Sequence, residues 1–219
     1  MRAPARATRL AGVYRVYEES PMANAARTQE IKLYFDPICP WAWRTSLWLR
    51  EARQVRPLHL AWGFFSLAEV NRAAGNPPRE RHQQSATPFR IMALARRQHG
   101  PDAVDRLYLA FGRAHHERQQ NIGQPDVIAA VLAEAGFDRG LHDAALADAS
   151  IVQELQDEHA ALAARGAFGV PTLETDGAAP LYGPIIDRVP TGEAAGELWD
   201  HTAWLLAQPH VYEFKRARS

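Results

Sequence analysis

Alternating and helical spacings of apolar residues organise the first third of the chain. Residues 31–35 alternate between apolar and polar side chains, which is the period of a half-buried strand. From Pro40 the apolar positions follow helical spacing until Pro57, which cannot continue a helix. Residues 58–64 then alternate again. Because two neighbouring strands joined by a helix are parallel, the pattern predicts a right-handed β-α-β unit.

The middle of the chain shows helical periods and no strand signal. Residues 71–86 are polar and rich in turn residues, which predicts a loop. Apolar residues then recur with helical spacing in four segments, which predict a block of four to five helices: 89–96, 104–115, 127–135 and 151–162.

Two short strands and a helix close the predicted domain. GVPTLETDG at 169–177 predicts a strand with a turn at Asp176-Gly177. PLYGP at 180–184 predicts a second strand, and residues 192–207 predict a final helix. The order β-α-β, helices, β-β-α predicts an α/β fold divided by a helical insertion. We therefore divide the chain into three parts. Residues 30–66 and 167–219 form an α/β domain, residues 67–166 form a helical insertion, and residues 1–29 form a disordered N-terminal extension.

The N-terminal extension lacks the features of a targeting segment. It contains five arginines but lacks the apolar core of a secretory signal, and Glu18, Glu19 and Pro21 interrupt any amphipathic transit helix. Met22 is a candidate start site. We expect a cytoplasmic location.

Composition and charge exclude several classes of function. Lys+Arg and Asp+Glu are both 25, so the net charge gives no case for a nucleic-acid or anionic-membrane partner. No apolar run approaches the roughly 20 residues of a membrane span. One cysteine excludes a cysteine-rich zinc site. His115 and His116 are adjacent on a predicted helix and point in different directions, so we expect no metal.

The single cysteine lies between the end of a predicted strand and the start of a predicted helix, in FDPICPWAW at 35–43. Unpaired N–H groups at a helix N-terminus stabilise a thiolate and lower the pKa of such cysteines to roughly 3.5–7.5. The competing interpretation is a small buried apolar residue. The position of Cys39 between a strand and a helix, together with the following Pro40, favours a reactive cysteine.

Val170-Pro171-Thr172 complements that cysteine. In β-α-β, β-β-α proteins built around a redox thiol, a cis-proline opens the third strand beside the cysteine. We therefore predict a cis Val170–Pro171 bond, with the backbone of Val170 available to an incoming thiol. Only about 5–6% of X-Pro bonds are cis, so the prediction depends on the pairing with Cys39.

These motifs together resemble the DsbA-like thioredoxin-fold proteins with a helical insertion. FDPICPWAW, GVPT, the YGP at 182–184, GEAAGELWD and PHVYEFKRAR resemble the actinobacterial mycothiol-dependent nitroreductase group over residues 31–218. The resemblance implies a cytoplasmic enzyme that uses mycothiol in preference to glutathione, with Cys39 as nucleophile and Pro171 as the cis-proline. It adds Pro40, Trp41, Val170 and His116 as candidate thiol- or substrate-binding residues. We expect Trp43 and Trp62 to be core residues.

Ala42 departs from the CPWC of that group. A dithiol enzyme uses its second cysteine to release product from a mixed disulfide, and Ala42 cannot. Either the chain is a natural monothiol enzyme, or the resolving cysteine has been replaced. Three hypotheses follow: an oxidoreductase resolved by a small thiol, a transferase or isomerase of the kappa-class glutathione transferase or 2-hydroxychromene-2-carboxylate isomerase type, or a thiol-binding protein without turnover. The partners are a small-molecule thiol and a small or disulfide substrate, with a homodimer also considered.

Overall fold

The computed structural model describes residues 28–77, 79–176 and 178–213. Most of the N-terminal extension and the last six residues therefore lie outside the described part, as does Gly177 of the predicted turn. The strands are β1 Gln29–Phe35, β2 Leu58–Phe64, β3 Thr172–Thr175 and β4 Leu181–Tyr182. The α-helices are α1 Pro40–Ala52, α2 Leu67–Ala73, α3 Glu80–Gln83, α4 Ala86–His99, α5 Asp102–Gly112, α6 Pro125–Glu134, α7 Gly140–Ala147, α8 Ser150–Ala164 and α9 Glu193–Leu206.

The four strands form one sheet in the order β2-β1-β3-β4. β1 pairs with β2 in parallel, with Gln29 opposite Leu58, and with β3 antiparallel, with Leu33 opposite Leu173. This arrangement confirms the predicted α/β order and the parallel pair. β1 begins at Gln29, a residue that our division had assigned to the extension.

β1 occupies the centre of the sheet because it pairs with β2 on one side and with β3 on the other, and its apolar face is buried. Ile31, Leu33 and Phe35 are at most 1% exposed. The Phe35 ring stacks on Tyr108 of α5 at a centroid distance of 3.7 Å. The strand that leads to Cys39 is therefore fixed by the sheet and by the helical insertion together.

α1 packs against the last helix through two tryptophans. The indole N–H of Trp48 donates to the carbonyl of Ala195 at 3.0 Å, and its ring lies 6.4 Å from that of Trp199. At the surface, Arg56 pairs with Asp200 and Glu193. These contacts hold α1, whose first turn follows Cys39, against the C-terminal half of the domain.

The helical block contains more helices than the periodicity predicted. The segment 71–86 is not a continuous loop, because it contains the end of α2 and all of α3. α7 was missed because only Leu141 and Ala145 are buried, which is too few to give a period. The segment 104–115 does not stay α-helical, since a π-helix, Arg113–Glu117, follows α5.

α8 covers the outer edge of the sheet. The Glu158 carboxylate accepts from the backbone N–H of Phe64 at 3.0 Å, and Nδ1 of His159 accepts from that of Ser66 at 3.2 Å. The His159 ring also stacks on Phe65 at 4.1 Å. Side chains from the insertion thus satisfy backbone donors at the end of β2, a common way to protect an edge strand.

Within the described ranges, none of the helices has the length and apolar character needed to cross a membrane.

Candidate active site around Cys39

Cys39 is the N-cap residue of α1, with Pro40 at the first helical position. Its backbone N–H donates to the carbonyl of Asp36 at 2.9 Å, and its own carbonyl accepts from Trp43 at 3.0 Å. Proline suits this position because its missing N–H would have no intrahelical partner there. The turn and the cap together fix the thiol at the helix N-terminus, and the side chain is only 4% exposed.

The thiol faces the loop that precedes β3. The Val170–Pro171 bond is cis, as predicted, and so is the Gly183–Pro184 bond of the YGP motif. Sγ of Cys39 donates to the carbonyl of Val170 at 3.5 Å. The structure therefore brings Cys39, Pro40, Val170 and Pro171 together, although 131 residues separate Cys39 from Val170.

The predicted low pKa of Cys39 is wrong for this buried thiol. Burial raises the pKa of Cys39 above its ordinary value, and a smaller contribution in the same direction comes from the carboxylate of Asp36. The backbone N–H groups of Ala42 and Trp41 and the guanidinium of Arg81 act to lower this pKa. Desolvation is the largest of these effects, because the side chain is almost completely removed from water.

Because the pKa of Cys39 is raised, alkylation of this thiol should become fast only at alkaline pH. The thiolate is the nucleophile, so the rate of reaction with iodoacetamide should rise with pH and reach its inflection above about 8.5, the ordinary thiol value. Since the chain has one cysteine, the urea-unfolded protein is a matched control for the same sulfur. An inflection in the folded protein below that of the unfolded chain would contradict the expectation.

A buried carboxyl lies directly below the active-site turn. Asp36 is 0% exposed. Its Oδ1 accepts from the N–H of Ile38 at 3.2 Å, while Oδ2 accepts from the N–H of Leu67 at 2.8 Å and from Oγ of Ser85 at 3.4 Å. Burial raises the pKa of Asp36 to about 7, and these three donors act to lower it.

Asp36 is not among the predicted site residues, because the alternating pattern that predicts β1 ends at residue 35. An acidic residue between a buried strand and a reactive cysteine was the available signal. Its carboxyl connects the turn before Cys39 with the start of α2 and with Ser85, so it ties the insertion to the active site.

His116 contacts the turn that carries Cys39. Its Nε2 lies 2.9 Å from the carbonyl of Pro37. A carbonyl can only accept, so Nε2 carries the proton. The imidazole stacks on the Trp43 ring at 5.6 Å. Burial, with a smaller contribution from His115, lowers the pKa of His116 to about 4, which makes the ring neutral at pH 7.

Close packing between α1 and α5 sets the position of that stack. A Cβ atom at Gly112 would lie 2.1 Å from the Trp43 ring, so only glycine permits this approach. The π-helix begins at the next residue and carries His116. π-Helical turns often occur at functional sites, and here the turn brings the imidazole against Pro37.

The remaining tryptophans divide as expected between core and site edge. Trp43 and Trp62 are 4% and 5% exposed, which confirms them as core residues. Trp41 is half-buried beside the exposed Pro40, and the Arg44 guanidinium lies 5.0 Å from the Trp41 ring centroid.

The position of a resolving cysteine is filled by a methyl group. Ala42 is 0% exposed and lies in the first turn of α1. Among the described residues, no group of three or more His, Cys, Asp or Glu side chains is arranged to hold a metal ion. A surface cleft of about 390 Å³ lies elsewhere, on the insertion, and includes Arg106 and Phe137 in its lining.

Comparison with solved structures identifies the fold. The chain is similar to the cytosolic disulfide reductase DsbM of Pseudomonas aeruginosa with GSH (TM-score 0.54, 20% identity, covering 80% of this chain and 96% of that one). It is also similar to oxidoreductase DsbA of Xylella fastidiosa (0.52, 18%, 84% and 89%) and to 2-hydroxychromene-2-carboxylate isomerase (0.53, 20%, 80% and 98%). The fold is thus the DsbA-like thioredoxin fold.

The family is shown by a match over most of the sequence. Residues 38–216 match the Rv2466c-like family, described as mycothiol-dependent nitroreductase Rv2466c. The chain belongs to this family, and it is therefore an enzyme of the thiol-dependent oxidoreductase class. It is also 37% identical over 191 residues to Uncharacterized protein Rv2286c of Mycobacterium tuberculosis (strain ATCC 25618 / H37Rv), covering 86% of this chain and 82% of that protein.

Proposed function

We propose that the protein is a cytoplasmic monothiol oxidoreductase in which Cys39 is the nucleophile and a small thiol, mycothiol in preference to glutathione, resolves the reaction. The observation that carries the proposal is the contact of Sγ of Cys39 with the Val170 carbonyl at the N-terminus of α1, with Ala42 where a second sulfur would be needed. The cytoplasmic location and the choice of mycothiol rest on the family.

The chemistry requires one protein sulfur and one external thiol. The Cys39 thiolate attacks a substrate disulfide, whose S–S bond breaks as a new S–S bond to Cys39 forms, and the other half leaves as a thiolate. The thiolate of the small thiol then attacks the substrate sulfur of this mixed disulfide, so a disulfide between the small thiol and the substrate half forms and leaves as the Cys39 thiolate is regenerated. For a nitroaromatic substrate, two thiols become one disulfide while the nitro group takes up two electrons and two protons to give a nitroso group and water.

The residues around Cys39 fit a small thiol. Pro40 is exposed next to the sulfur, so the approach from that side is short. An incoming sulfur would lie against the backbone of Val170, which already contacts Sγ. Trp41 and the Arg44 guanidinium border the same helix end. When bound, mycothiol would supply the second sulfur that Ala42 does not.

His116 serves in this proposal as a positioning residue. It donates to the carbonyl of Pro37, two residues before Cys39. A neutral imidazole adds no charge to the thiolate, so its contribution is to hold the turn. The proposal that Pro40, Trp41, Val170 and Pro171 line the thiol site rests on their placement around Sγ.

A single-turnover experiment tests the proposal. The reduced protein is mixed with bis(2-hydroxyethyl) disulfide and no other thiol. The chain should release one mercaptoethanol and retain the other half as a mixed disulfide on Cys39, detected by mass spectrometry. Ala42→Cys should release both halves, because the i and i+3 positions of a helix are close enough for the introduced thiol to attack.

Multiple turnovers by the unmodified chain should require added small thiol, with mycothiol more effective than glutathione. Continued turnover without any added thiol would contradict the mechanism, since the chain has no second cysteine thiol. An unmodified Cys39 after long exposure to the disulfide at high pH would equally contradict it and favour a thiol-binding protein without turnover.

A further inference from the structure

An aromatic pair, of which Phe168 is exposed and Tyr182 is half-buried, borders the cis-proline loop. Phe168 is 67% exposed, and its ring centroid lies 4.8 Å from that of Tyr182, with the planes inclined at 35°. Phe168 is two residues before Val170, whose carbonyl contacts the Cys39 thiol. Tyr182 lies opposite Thr172, which follows Pro171. Both rings therefore belong to the segments that flank the reactive sulfur.

The backbone around the pair is held in place by several contacts. A Cβ atom at Gly169 would lie 3.2 Å from the Tyr182 ring, so the loop approaches that ring closely only because residue 169 is glycine. The N–H of Gly183 donates to the carbonyl of Pro171 at 2.8 Å. Oγ1 of Thr45 in α1 donates to the carbonyl of Pro184 at 3.0 Å. The pair is thus fixed relative to the helix that begins after Cys39.

The exposure of Phe168 has no explanation in the packing of the domain. A fully exposed single apolar residue is common on protein surfaces. Here, however, the exposed ring is paired with a second ring on a fixed backbone beside a nucleophile. Trp41 provides a further aromatic side chain from the α1 side of the same thiol. A flat, apolar ligand could stack on such a surface without rearrangement of the backbone.

We propose that Phe168 and Tyr182 form a stacking platform for planar aromatic substrates and determine the specificity of the Cys39 reaction. The inference rests on the proposed function and adds the residues that would select among its substrates. A flat ring stacked on Phe168 would direct a reducible substituent toward Cys39. Offset-stacked aromatic pairs gain interaction energy beyond the apolar area that they bury, so an aliphatic compound of similar size gains less.

Binding of a flat probe separates this inference from the proposed function. The test uses the full chain with Cys39→Ser, which removes the redox chemistry, and 4-nitrobenzyl alcohol as the probe, followed by ligand-observed NMR. Adding Phe168→Ala should weaken binding about fivefold, an effect of the size expected for loss of one ring pair. Adding Phe168→Leu, which keeps an apolar side chain, should weaken binding by a similar factor.

Trp204→Ala provides the matched control, since Trp204 is an aromatic residue of α9 that is 56% exposed. This change should leave the affinity for the probe unaltered. In the enzyme with Cys39 intact, Phe168→Ala should lower the ratio of kcat/KM for an aromatic disulfide to kcat/KM for bis(2-hydroxyethyl) disulfide.

Equal affinity of the probe for the Phe168→Ala protein and its parent would overturn the inference. So would absence of probe binding to the parent protein at millimolar concentration, or a similar loss in Trp204→Ala. None of these results depends on Cys39, so a failed platform leaves the single-turnover test of the monothiol mechanism unaffected.

Discussion

Cys39→Ser should reduce turnover with any disulfide or nitroaromatic substrate by at least about 10³-fold, the scale seen when a covalent nucleophile is removed. Serine is close in size to cysteine and can still donate to the Val170 carbonyl that contacts Sγ at 3.5 Å. The variant therefore keeps the hydrogen bond and removes only sulfur chemistry, because a hydroxyl forms no mixed disulfide. Turnover is measured with saturating mycothiol.

Cys39→Ala is the companion variant, since it removes both the sulfur and the donor. Equal losses in the serine and alanine variants would assign the whole effect to the sulfur. Circular dichroism and thermal unfolding should show that both proteins keep the fold. A serine variant with more than a tenth of the parent activity would rule out Cys39 as the nucleophile.

Asp36→Asn should change the pH dependence of stability more than any other single carboxyl substitution near the site. The pKa of Asp36 is raised from 3.8 to about 7 in the folded protein. A raised carboxyl pKa stabilises the fold fully below the unfolded pKa, and this contribution is lost as pH rises through the folded pKa. Across roughly three pKa units the loss is about 4 kcal/mol, confined to the window between pH 4 and pH 7.

The measurement is urea unfolding of both proteins at several pH values from 4 to 8. The free energy of unfolding of the parent, relative to Asp36→Asn, should fall across this window and become constant above it. Ser85→Ala is the control, because it disturbs the same spot but keeps the carboxyl, and it should retain the pH dependence. A difference between parent and Asp36→Asn that does not vary with pH would contradict the assignment.

The sequence predicted the parts of the site whose signals are local. Alternation located β1 and β2, and Pro40 at the first helical position placed Cys39 at the N-terminus of α1. The sequence also predicted that Cys39 and Pro171 belong to the same site, because each motif can be recognised by itself and their order along the chain is typical of the fold. The observed contact between Sγ and Val170 agrees with that prediction.

Other features depend on contacts between distant segments. The raised pKa of Asp36 arises from burial beneath α2 and Ser85, which no pattern around residue 36 reveals. The same applies to the thiol, where the helix end is a local signal but desolvation depends on how the loop at Val170 covers it. His116 reaches Pro37 through a π-helix, and a strict helical period cannot anticipate the extra residue in that turn.

The covering of the sheet edge by α8 has a consequence for the behaviour of the protein at high concentration. With 25 basic and 25 acidic residues, copies of the chain gain no net repulsion near neutral pH, a condition that favours association and precipitation. In the described part of the chain, one edge of the sheet ends in donors already bound by Glu158 and His159, and the other is a strand of two residues. The side-chain caps at the end of β2 and the short length of β4 reduce the template that each edge offers to another strand, so these features, and not net charge, are what oppose association.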